Sequence, residues 1–232
     1  MRERTFDDFD EYAKDYRSIH TKNLKISGAD SFYFAEQKVL LLKKYETALD
    51  VQMLDLGCGD GTTELYVQKH FPDWHVKGID VSEESIAVAT SKNISNARFQ
   101  LFNGSRIPYA DNNFDIVFIA AVLHHIHFSL HEKIIREAYR VLKPNGRLYL
   151  FEHNTLNPFT QYLVKTCDFD KDARLLNYSY SRKLLKNAFF TSIKIKFILF
   201  FPRKGVLSKL IPVENLLSWL PLGGQYFLRC KK

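Results

Sequence analysis

The sequence predicts an α/β domain built on a mostly parallel sheet, and three observations carry the prediction. A short apolar run, 51–56, enters Gly57, Gly59 and Gly61 at alternate positions. A second apolar segment, 74–79, ends at Asp80. A third, 115–120, is followed by an amphipathic helical stretch and a further apolar segment, 147–152. Short apolar strands alternating with helical patterns mark βαβ units. A glycine turn between strand and helix is where such sheets hold nucleotide-like ligands.

Residues 9–20 place Phe9, Tyr12, Ala13 and Tyr16 at helical spacing, and 34–45 form a second helical pattern. After Asp80, Ser82 is the expected cap of a helix opening at Glu83 and Glu84, where acids favour a helix N-terminus. Ser129 with Glu132 reads as a capping box; Ile134, Ile135, Ala138, Val141 and Leu142 give its helical stripe, and Pro144, Asn145 and Gly146 its stop. Beyond Glu152 come a helix near 181–189 and two strands, 193–200 and 225–230. The organisation expected is one domain: 1–46 a helical cap, 47–152 the ligand-binding core, and 153–232 the substrate-side elements with an insertion at 201–224.

Composition fits this reading. A chain of 232 residues with 46% apolar side chains can bury a real core. Cys58, Cys167 and Cys230 are odd in number and far apart, pointing to reduced thiols in a cytoplasmic setting. No stretch reaches the ~18 uncharged apolar residues of a membrane span, and the charged N-terminus lacks a signal peptide's apolar region. The net charge of +7 is dispersed, so a solvated basic face comes first, an acidic substrate or membrane surface next, and nucleic acid last.

The spacing of the glycines bears on the ligand. Dinucleotide sites carry G-x-G-x-x-G, with backbone approaching a pyrophosphate. Here the third glycine arrives one residue early and Asp55 precedes the first by two. A carboxylate there would repel a pyrophosphate and suit a cationic amino group. Asp80, nineteen residues after Gly61, stands where an acid accepts hydrogen bonds from ribose hydroxyls.

Asp-x-Gly-x-Gly-x-Gly resembles motif I of the class I S-adenosylmethionine (SAM) methyltransferases. The stretch 103–109 followed by Asn113, Phe114 and Asp115 resembles a second family motif, and Leu123-His124-His125-Ile126 is similar to the branch containing ubiquinone and menaquinone methyltransferases. The resemblance implies a Rossmann-like sheet of seven strands, the last antiparallel, and SAM as cofactor with S-adenosylhomocysteine as product. It implies cofactor contacts from Asp55, Gly57, Cys58, Gly59 and Gly61, from Asp80 and Val81 at the ribose, from Asn103, Gly104 and Ser105 at the adenine, and from Ala120 and Ala121 near the sulfonium. Asn103 stands where the family normally has an acid, and its amide oxygen can accept from the adenine amino group; backbone atoms could make that contact instead. Tyr16 matches a family tyrosine near the methionyl end, or simply packs an added helix on the core.

His124, His125 and His153 fall at the carboxyl ends of the fourth and fifth strands, so they are the candidate general bases or acceptor contacts, histidine's reference pKa of ~6.5 suiting that task. One of an adjacent His-His pair commonly serves as an inward support, and without a third ligand they predict no metal site. The expected reaction is methyl transfer to a small molecule, with a hydroxyl oxygen on an aromatic, lipid-like or glycan-intermediate acceptor ranked first. A noncatalytic SAM-binding or partner-binding module and a nicotinamide oxidoreductase are the rivals. The insertion 201–224, basic, aromatic and apolar, has three readings: packing over the core, contact with a hydrophobic substrate or the inner face of a membrane, and pairing in a homodimer.

Overall fold

The computed structural model describes residues 31–167 and 173–232. The N-terminal helix expected at 9–20, Tyr16 with it, and 168–172 lie outside them. Helix α1 spans Ser31–Tyr45, and strand β1 follows at Gln52–Leu56. Then come α2, Thr62–His70; β2, His75–Asp80; α3, Glu83–Ser91; β3, Ala97–Leu101; and β4, Phe114–Ala120. A single 3-10 turn, Leu123–His125, precedes α4, Phe128–Val141. The chain continues through β5, Leu142–His153; α5, Pro158–Thr166; α6, Tyr178–Asn187; β6, Thr191–Ile198; a 3-10 helix, Val206–Val213, with the short α7, Glu214–Leu217; and β7, Gln225–Lys231.

The seven strands form one sheet in the order β3-β2-β1-β4-β5-β7-β6. β7 runs antiparallel between β5 and β6, while the pairings from β3 to β5 are all parallel. The expected Rossmann-like sheet, last strand antiparallel, is the one found. Burial on both faces explains why its central strands read as unbroken apolar runs. Leu54, Val117, Leu148, Leu150 and Leu228 pack into one core. Their chain neighbours Met53, Ile116, Phe118, Tyr149, Phe151 and Phe227 pack into the other. Period-two alternation thus splits each strand between two helical layers.

Ser82 caps α3 as expected, accepting from Ser85 N at 3.0 Å. The capping box at Ser129 does not form. His127 is the cap of α4, accepting from Ser129 N, and Glu132 pairs with Arg136 one turn on. Ser129 lies inside the first turn, and an imidazole nitrogen can take the role the hydroxyl was expected to play. The helix also ends earlier than 144–146: backbone pairing captures Leu142 opposite Phe114, so the strand begins where the stripe predicted helix. Asn145, with φ +64°, makes the bend that the expected stop signal marked.

The insertion rests on the edge strand, Phe197 N donating to Ser218 O at 2.8 Å, with Gly223 buried and Leu217 and Leu220 half-buried. No residue of Val206–Val213 or Glu214–Leu217 is buried.

Candidate functional site

Strand order reverses between β1 and β4: the chain builds β2 and β3 on one side, then returns to add β4 and β5 on the other. Ligands of open α/β sheets bind outside the carboxyl ends of strands at such a switch point. The loops leaving β1 and β4 meet there. A Cβ on Gly57, at φ +82°, would fall 2.4 Å from Val122 Cγ2. Ala121, the first residue past β4, takes φ +60° while its N–H is held by Phe151 O at 2.9 Å. Strained backbone at a strand end is a recurrent mark of a site.

The glycine loop spends its own donors. Gly57 N and Cys58 N donate to Ile79 O, at 2.8 and 3.1 Å, and Gly61 N donates to Cys58 O. Gly59 N donates to Asp80 Oδ2 at 2.8 Å. The other Asp80 oxygen accepts from Ser82 N at 3.0 Å. At the start of α2, Asp60 accepts from Thr62 N and Thr62 Oγ1 and pairs with Lys92 at 2.9 Å. An anion therefore already sits where a pyrophosphate would bind. The donor set does not fit a phosphate-bearing dinucleotide.

It does fit a phosphate-free nucleoside. A Cβ on Gly59, at φ +53°, would meet no atom within 4 Å, so the loop presents bare backbone to open space. Asp80, at the end of β2, supplies a half-exposed carboxylate beside it, and Val81 follows, half-buried against the core.

Asp55 lies deeper than the sequence implied. It is 2% exposed, and burial, reinforced by the charge of Asp80, pushes its carboxyl up to about 7. Its neighbour is Glu64 of α2, a residue the sequence did not single out. Glu64 is fully buried, and a Cβ on Gly78 would come within 2.9 Å of Glu64 Oε1. Burial first, then Asp55, pushes Glu64 well above the ordinary carboxyl range. The Cys58 thiol is raised for the same reason, burial followed by the surrounding carboxylates. Asp55 and Glu64 thus form a pair of buried acids beneath the glycine loop. A charged residue on the stripe of α2 that should face the sheet was the available signal.

Asn103 Oδ1 accepts from Ser105 N, Ser105 Oγ and Arg106 N at 3.0 to 3.3 Å. That oxygen shapes its own turn, with Gly104 at φ +72° inside it, and three donors saturate it. An adenine amino group would have to compete with these donors for the same oxygen.

The three histidines do come together. His124 and His125 ring centroids are 4.2 Å apart, and His124 and His153 5.1 Å apart. His124 is the inward support of the pair: it is 2% exposed, and Glu152 Oε2 lies 2.6 Å from its Nδ1. A carboxylate only accepts, so Nδ1 carries the proton. Glu152, itself buried, also accepts from Leu123 N at 3.0 Å, tying the β4 exit to the end of β5. His131 braces the turn from α4, its Nε2 2.9 Å from both Leu123 O and Ile126 O. Those carbonyls require an N–H at Nε2, leaving Nδ1 to accept from Tyr180 OH at 3.1 Å, and burial lowers its pKa. His125 and His153 remain half-buried beside this frame. The expectation that one of the adjacent pair faces the site therefore falls on His125. Neither Glu152 nor His131 was legible as functional, since each partner is reached only through the fold. No group that could hold a metal occurs among the described residues.

Residues 54–150 match the family model described as Methyltransferase domain. An uncharacterized methyltransferase of Bacillus subtilis is 35% identical over 130 residues, covering 53% of this chain and 48% of that protein. A demethylmenaquinone methyltransferase of Listeria welshimeri is 33% identical over 101 residues, covering 41% and 42%. The chain thus spans about half the length of the curated relatives it matches. Among solved structures, a SAM-dependent methyltransferase of Thermotoga maritima, titled a possible histamine N-methyltransferase, superposes with a TM-score of 0.71 at 16% identity, covering 98% of this chain and all of that one. At that identity the likeness is one of fold.

Proposed function

With residues 54–150 a methyltransferase domain, we propose that the protein transfers a methyl group from SAM to a hydroxyl oxygen of a small aromatic, lipid-like or glycan-intermediate acceptor. The observation that carries the reading is the histidine cluster anchored by Glu152 at the carboxyl ends of β4 and β5, beside a glycine loop whose donors are already spent.

When bound, the cofactor supplies a methyl on a positively charged sulfur. Asp80 holds the ribose, Gly57, Gly59 and Gly61 offer backbone surface to the methionyl side, and the 103–105 turn flanks the adenine. Ala120 and Ala121, at the exit of β4, leave room beside the sulfonium. The acceptor's proton goes to His125 or His153, which are half-buried next to the frame. His124 is the positioning residue: clamped through Nδ1 by Glu152, it fixes both neighbouring rings. Much of the rate comes from aligning the oxygen behind the methyl and excluding water, with the base contributing ~10²- to 10⁴-fold. The ranking of oxygen over nitrogen or carbon rests on likeness to the quinone methyltransferases.

Incubating the protein with SAM labelled in its methyl group and a cell extract tests this. Label in a lipid or aromatic fraction supports the reading; label in protein or RNA overturns the small-molecule acceptor. Tight binding of S-adenosylhomocysteine with no turnover across acceptors favours the noncatalytic alternative.

A further inference from the structure

Among the described residues, the connection from β6 to β7 carries a dense run of exposed large apolar side chains. Val206 is 80% exposed, Leu216 74%, Trp219 70%, Leu222 59% and Leu207 52%. Single exposed apolar residues need no explanation, but such a concentration in one segment marks an interaction surface. Its charges have one sign. Arg203, Lys204 and Lys209 are exposed, while the one acid between 203 and 222, Glu214, is turned inward to accept from Phe200 N and Phe201 N at 2.9 Å each. Beside it, Lys44 of α1 donates to Asn215.

The segment is fastened to the site. Asn154, just past β5, donates through Nδ2 to Pro221 O and Gly223 O at 3.0 and 2.8 Å. Asn157 donates to Leu222 O at 2.7 Å. Immediately after His153, therefore, the chain clamps the far end of an exposed, cationic, greasy strap. Leu156, Phe159 and Tyr162, also exposed, continue the apolar surface onto α5.

We infer that residues 203–222 form a docking surface for an anionic lipid bilayer. Apolar side chains with a tryptophan enter the headgroup boundary while the lysines and arginine meet lipid phosphates. Charge selects this occupant over a second copy of the chain, because an isologous contact would bring two copies of the same cationic segment together while its one acid, Glu214, is turned inward. The inference goes beyond the proposed reaction and does not depend on it, since bilayer binding needs no turnover.

The experiment uses the full chain with vesicles of phosphatidylcholine alone and of phosphatidylcholine mixed with phosphatidylglycerol. The chain has two tryptophans; Trp74 is 1% exposed, so a change in emission on binding reports Trp219. Co-sedimentation with the mixed vesicles and a blue shift are expected. At about 1 kcal/mol per basic residue, three cations predict binding on the order of 100-fold weaker to phosphatidylcholine alone. Leu216→Glu and the double change Lys204→Glu with Lys209→Glu should each lose the binding while circular dichroism and melting stay unchanged, because none of these side chains is buried. Failure to bind either vesicle, or equal binding to both, overturns the inference. So does reversible self-association, seen by sedimentation velocity without lipid, that Leu216→Glu abolishes. Vesicle binding by a protein inactive with every acceptor would reject the proposed reaction and leave the docking surface standing.

Discussion

Glu152 Oε2 lies 2.6 Å from His124 Nδ1, joining the end of β5 to the turn after β4 across twenty-eight residues of sequence. Both side chains are buried, so the contact is unscreened by water. It orders three imidazoles at once, because the rings of His125 and His153 lean on His124 from two sides.

Replacing Glu152 with Gln should therefore reduce kcat by about 10- to 100-fold, the scale on which buried partners orient functional imidazoles. The affinity for S-adenosylhomocysteine should stay within about twofold, since Glu152 touches no part of the glycine loop. A parallel fall on His125→Asn or His153→Asn, about 10²- to 10⁴-fold, identifies the base, and the pH profile of kcat should lose its acidic limb only in that variant. Full activity in Glu152→Gln would remove the frame from the mechanism.

Asp80 holds the glycine loop and is the proposed ribose contact. Asp80→Asn leaves one neutral acceptor for the two donors Gly59 N and Ser82 N, and hydrogen bonds to charged groups contribute ~1.5–3 kcal/mol. Calorimetry should show S-adenosylhomocysteine binding weakened about 10- to 100-fold. Unchanged affinity would place the ribose elsewhere.

Gly57→Ala should destabilise the fold, because the new Cβ would sit 2.4 Å from Val122 Cγ2 and φ is +82°. Val122→Ala in the same chain should recover part of the loss and leave ~1–2 kcal/mol, the cost of the left-handed backbone. Urea unfolding of the single and double variants separates the two contributions. Complete rescue would show that sterics alone forbid a side chain there.

The acids beneath the loop set a pH dependence. Asp55 titrates near 7 when folded, against ~3.9 unfolded, and Glu64 is raised in the same direction. Between about pH 4 and 7 the native state holds more protons than the unfolded chain, so stability must fall as pH rises through that window, by at most ~1.4 kcal/mol per pH unit for each proton. Glu64→Gln keeps the shape and removes one charge. Urea midpoints should rise in the variant at pH 8 and differ little at pH 4. A wild-type curve flat from pH 4 to 7 would contradict the buried acid pair.

How much of this was legible along the chain follows from the range of each interaction. The central strands announced themselves because a parallel sheet buried on both faces demands continuous apolar runs, while the edge strand β3, largely unburied, did not; Ser82 announced α3 because a cap bonds within three residues. The glycine turn and Asp80 were readable for the same reason: φ values and a bond across the β1 and β2 ends belong to one βαβ unit. The 144–146 stop was readable as a bend but not as a strand, since the pairing of Leu142 with Phe114 competes with helix only once β4 is in place.

The sequence by itself therefore determined the central strands, the glycine turn and the placing of the three histidines at strand ends, all fixed by local conformation and burial period. Tertiary structure alone decided that His124 faces inward to Glu152, that Glu64 fills the space Gly78 leaves beside Asp55, and that 203–222 lies outside the core. These are settled by packing between separated segments, which imposes no period on the chain. The Asn103 turn is local, its oxygen bonding Ser105 and Arg106 two and three residues on.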